Sequence, residues 1–123
     1  MRGRRACPPR LALRSGRAVV IVHTDRLCWL ESAGNSVRLH TGESSVLVRT
    51  TLRDLLATLD PERFVRIHRC TVVNLDHVDR VELDGGGRTV VVTEDGSRLA
   101  VSRSFRGRLW SALGGCTDRK SVV

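Results

Sequence analysis

The chain has 123 residues, 41% hydrophobic and 28% charged, which suits one globular domain of ordinary size and is too short for two. No apolar run approaches the ~20 residues that cross a bilayer, and the basic opening from Met1 to Arg10 leads into no long apolar stretch with a cleavage site; neither a membrane-spanning helix nor a signal peptide is expected, and a cytoplasmic protein is. The net charge of +8 is uneven, with six Arg and no acid in residues 1–17, five Arg and one Lys against one Asp in residues 98–123, and a slightly acidic middle, so the high pI alone is a weak argument for a polyanionic partner.

Residues 1–9, rich in Arg and Pro, read as a flexible basic lead. Leu11-Ala12-Leu13, a Ser15-Gly16 turn and Val19 to Val22 predict a first hairpin. Leu27 to Glu31, around Trp29, predicts a buried strand, and Ser32 to Ser36 a loop. Val37 and Leu39 alternate with Arg38 and His40, the pattern of a half-exposed strand. Gly42 marks a turn, and Val46 to Val48 the next strand.

Thr51 is a capping residue with Asp54 three positions on, and Leu52, Leu55, Leu56 and Leu59 form one apolar stripe. A helix is therefore predicted, ending at Asp60-Pro61. Phe64 to Ile67 and Thr71 to Leu75 read as extended segments. Val78 to Leu83 and Arg88 to Thr93 flank a glycine-rich hairpin turn, and Asp95-Gly96 turns the chain again into Leu99 to Val101. Ser102 is expected to cap a last helix with Phe105, Leu109, Ala112 and Leu113 on one face, stopped at Gly114-Gly115. Residues 115–123 are expected to be a disordered tail. Strands dominate and do not alternate with long helices, so the expectation is a mainly β protein of small antiparallel sheets with two short helices.

Cations at the ends of apolar elements are the candidate functional residues. In an extended strand Val65 and Ile67 face one way, Arg66 and His68 the other, and Arg69 falls at the strand end where the backbone can turn it outward. These residues form either a solvated strand face or a set aimed at DNA, with Arg69 placed to bond guanine O6 and N7 together. Arg103, in the first turn after Ser102, and nearby Arg106 are unfavourable there unless an anion is bound or a carboxylate on a neighbouring strand pairs with them. Asn35 either satisfies a turn or meets a base edge.

Other chemistries find no support. Gly85-Gly86-Gly87 lacks the Lys-Ser/Thr of a phosphate-binding loop, and no nucleophile elbow or paired-histidine zinc motif occurs. Cys7, Cys28, Cys70 and Cys116 form no Cys-x-x-Cys pair; reduced thiols are expected. His68 and Cys70 alone are too few ligands for zinc. Neither an enzyme nor a bound cofactor is expected. With no Tyr and two Phe, a stacking platform for single strands is also unexpected.

The run Phe64-Val-Arg66-Ile-His68-Arg69-Cys70-Thr-Val-Val-Asn74-Leu, followed by Val78, Val81, Asp95-Gly96 and Leu99-Ala-Val101-Ser102-Arg103, resembles the LytTR DNA-binding domain of bacterial response regulators. Leu27 to Ser32 and Asn35-Ser36-Val37 resemble that family's early strand and loop, so the likeness covers about residues 11–113. It implies an elongated sandwich of small antiparallel sheets, occupying residues 10–114. It also implies sequence-specific binding of double-stranded promoter DNA, loops in successive major grooves and often a second copy on a direct repeat. By this resemblance Asn35, Val37, Arg69 and Arg103 contact bases, while Arg66, His68, Ser102 and Arg106 contact phosphates. Ser36 stands where the family often has an aromatic, and Cys70 where it usually has a small hydroxyl. Only ten residues stand before the likeness where a receiver domain is usual, so the expectation is either a stand-alone regulator controlled by a partner protein or by its abundance, or a start inside a longer gene. The competing expectation is a non-DNA regulatory module that binds an anionic partner or senses a ligand or redox signal through Cys70.

Overall fold

The computed structural model describes residues 8–114. The expected basic lead, apart from Pro8 and Pro9, and the expected tail over 115–123 lie outside the described residues. The described residues form ten strands and two short α-helices: β1 (Arg10–Ser15), β2 (Ala18–His23), β3 (Trp29–Ala33), β4 (Ser36–His40), β5 (Ser45–Val48), α1 (Leu52–Thr58), β6 (Phe64–His68), β7 (Thr71–Asn74), β8 (Val78–Leu83), β9 (Thr89–Thr93), β10 (Arg98–Ala100) and α2 (Arg106–Ala112). All pairings are antiparallel, in a β1-β2 hairpin, a central sheet of order β5-β4-β3-β7-β6 and a small sheet of order β10-β9-β8.

Period-two alternation splits the apolar residues of the central sheet between two cores. Leu30, Val37, Leu39, Val48, Phe64 and Val72 face one side, where Leu11 and Val22 of the hairpin and Leu52, Leu55 and Leu59 from and just after α1 cover them. Trp29, Val65, Ile67 and Val73 face the other, against Val91, Leu99, Val101 and Leu109. The helix α1 is capped as its sequence predicts, the Thr51 hydroxyl accepting from the Asp54 N–H at 3.1 Å. Buried Asn74 ties β7 to the chain on either side of it: its amide donates to the Leu27 carbonyl at 2.8 Å and its side-chain oxygen accepts from the Asp76 N–H at 3.0 Å.

Three expectations are corrected. The third strand starts at Trp29, two residues late, and continues to Ala33, because Ser32 and Ala33 pair with Val37 and Ser36. What reads as a five-residue loop is therefore the two-residue turn Gly34-Asn35. Ser102 makes no capping bond, because a 3-10 turn, Arg103–Phe105, separates it from α2. Leu113 lies beyond α2 and is exposed.

Candidate nucleic-acid interface

Three chain reversals meet at one end of the sheets. The first is Gly34-Asn35 between β3 and β4, where Gly34 takes φ 64° and Asn35 is exposed; glycine at the first central position is the usual solution for a two-residue hairpin. The second is Arg69-Cys70 between β6 and β7, with neither residue at positive φ and a register shift between Arg66 and His68. The third is Ser102-Arg103, where the chain after β10 enters the 3-10 turn. Two backbone bonds fasten them together: Ser32 N–H to the Cys70 carbonyl at 2.9 Å, and Ser102 N–H to the Ile67 carbonyl at 2.8 Å. The first two turns lie two strand spacings apart, or roughly 10 Å.

Arg69 and Arg103 are exposed, and among the described residues neither has a carboxylate in ion-pair reach. Arg66 is half-buried and braces its own turn: Nε donates to the His68 carbonyl at 3.4 Å and Nη2 to the Arg69 carbonyl. His68 Nδ1 accepts from the Cys70 N–H at 3.1 Å. The hydrogen of the neutral ring is thereby placed on Nε2, the nitrogen left to donate outward. Ser102 Oγ lies 3.3 Å from Ser104 Oγ. Arg106 is half-buried, its Nε enclosed without a partner. The Cys70 thiol is held below its ordinary range by hydrogen bonding from Ser32 and then by the Arg69 and Arg66 guanidiniums.

Val37 is corrected. It is 0% exposed and belongs to the core between the central sheet and α1. As the second residue of β4 it alternates with outward-facing Ser36 and Arg38, so its side chain cannot meet a base edge.

Acidic groups concentrate at the opposite end of the strands. Arg63 holds Asp76 at 2.8 Å and Asp25 at 3.3 Å, and His77 pairs with Glu94 at 3.2 Å. No group of three or more metal-ligating side chains gathers among the described residues. Sequence reasoning passed over Arg49 and Arg14. Arg49 lies directly beyond β5, where continuation of the Val37–Val48 register sets it across from Ser36. Its N–H donates to the Arg14 carbonyl at 2.9 Å. The two lie 35 positions apart in the sequence, so no local pattern signals the pair.

Exposed arginines thus stand on turns of an antiparallel β scaffold, with Asp25, Asp76 and Glu94 paired at the far end. The chain belongs to the LytTr DNA-binding domain family, whose model matches residues 17–114. It is 29% identical over 104 residues to the sensory transduction protein LytT of Bacillus subtilis, covering 85% of this chain and 43% of that one. It is 31% identical over 114 residues to the CO-responsive transcriptional regulator RcoM of Rhodospirillum rubrum, covering 89% and 48%. The chain thus spans less than half the length of these relatives. Among solved structures, the LytTr DNA-binding domain of a response-regulator protein from Bacillus cereus superposes with a TM-score of 0.77 at 20% identity, covering 87% of this chain and 98% of that one.

Proposed function

We propose that this chain binds promoter DNA as part of a bacterial transcription regulator and recognises its sequence through the end of the sheets that carries the three turns. Arg69 and Arg103 read base edges in the major groove, and Asn35 adds a contact from the neighbouring turn. His68, Ser102 and Arg106 orient the domain on phosphates, while Arg66 chiefly holds the Arg69 turn in shape. Promoter repeats would seat a second copy on a direct repeat. A partner protein would supply the regulatory input.

The observation that carries this reading is the hydrogen-bonded fastening of the three turns to one edge, with Asn35, Arg69 and Arg103 all exposed there. A duplex selected from a random library by the full chain provides the test. Arg69→Ala or Arg103→Ala should weaken binding to it by about 1–3 kcal/mol and broaden the sequences accepted. Unchanged affinity and an unchanged selected sequence in both variants would refute the assignment.

A further inference from the structure

Arg14 and Arg49 are brought together by the backbone bond between them and stand next to the Asn35 turn. The placement is reinforced by the Ser15 hydroxyl, which donates to the Leu47 carbonyl at 2.7 Å. Arg14 Nε donates to the Gly16 carbonyl at 3.3 Å, which keeps its guanidinium near the hairpin tip beside Arg17. Arg14, Gly16 and Arg49 line an open cleft of about 400 Å³.

All three arginines are exposed, and among the described residues none has a carboxylate in ion-pair reach. By contrast Arg63, Arg80 and Arg98 are matched to carboxylates at 2.8, 2.9 and 2.7 Å. Like charges gathered without a counter-charge repel, and the arrangement becomes favourable when a polyanion lies across it. Arg14 precedes the residues that match the family, which begin at 17.

We infer that Arg14 and Arg49, with Arg17 alongside, form a second phosphate-binding site that grips the DNA backbone beyond the Asn35 turn and lengthens the contact on that flank. The inference rests on the DNA-binding reading above. Guanidinium suits the role because its planar fork can hold two phosphate oxygens at once. Contacts of this kind carry no sequence information, so they add affinity on every duplex equally.

The test measures binding against salt concentration for the full chain on two probes, a duplex selected by the wild type and a scrambled duplex of the same length. The Arg14→Ala/Arg49→Ala variant should make the log–log salt slope shallower by about 2 on both probes. The Arg14→Lys/Arg49→Lys variant, which keeps both charges, should restore the slope. Arg26→Ala/Arg80→Ala removes the same charge elsewhere and should leave the slope at the wild-type value. An unchanged slope in the alanine pair, a matching loss in the distal pair, or failure of the lysine pair to restore it would each overturn this site while leaving duplex binding intact. Absence of salt-dependent duplex binding by the wild type would overturn the DNA-binding reading itself, and this site with it.

Discussion

Cys70 and Cys28 are both free thiols, and their surroundings push them in opposite directions. Ser32 and the Arg69 and Arg66 guanidiniums favour the Cys70 thiolate. Burial, with Asp95 and Glu94 nearby, disfavours ionisation of Cys28. Since the thiolate is the nucleophile, iodoacetamide near neutral pH should alkylate Cys70 well before Cys28, as followed by peptide-resolved mass spectrometry. A selected duplex should slow the reaction at Cys70, which adjoins the proposed base-reading Arg69. Equal labelling of the two thiols would contradict the electrostatic account. Arg69 and Arg103 were legible one at a time, because each follows the end of an apolar run. Val37 was not: the family resemblance assigned it a base contact, whereas its alternation with Arg38 already put it on the buried face with Leu39.

The elements matter because they set the directions of these side chains. Gly34 permits the first turn by adopting φ 64°, and no atom lies within 4 Å of an added Cβ. Gly34→Ala should therefore cost about 1–2 kcal/mol through backbone strain alone, measured by chemical denaturation, and should displace Asn35. No loss of stability would show that the turn relaxes freely. The Arg69-Cys70 turn uses a different device. It has no left-handed residue, and the register shift in β6, the Arg66 guanidinium and the His68 ring shape it instead. Alternation, glycine pairs and the Thr51 cap made most elements readable from sequence. The 3-10 turn before α2 was hidden because Ser102 has the same chemistry whether or not its hydroxyl caps a helix.

Across the whole molecule, charge is sorted along the strand direction. Asp25, Asp76 and Glu94 are paired with Arg63 and His77 at one end, and Arg14, Arg49, Arg69 and Arg103 lie with the turns at the other. This sorting depends on non-local contacts such as Arg14 with Arg49 and Ser32 with Cys70, which no reading of local pattern discloses. It also gives a chain whose middle is slightly acidic a cationic edge for the proposed DNA contact. The central claim is that this edge, and not the opposite end, meets the duplex. The most direct measurement is a titration of the isotope-labelled full chain with its selected duplex, following backbone amide resonances. Shifts should concentrate at Gly34-Asn35, Arg69-Cys70 and Ser102-Arg103. Shifts concentrated instead at Asp25, Asp76 and Glu94, with the three turns unmoved, would contradict it.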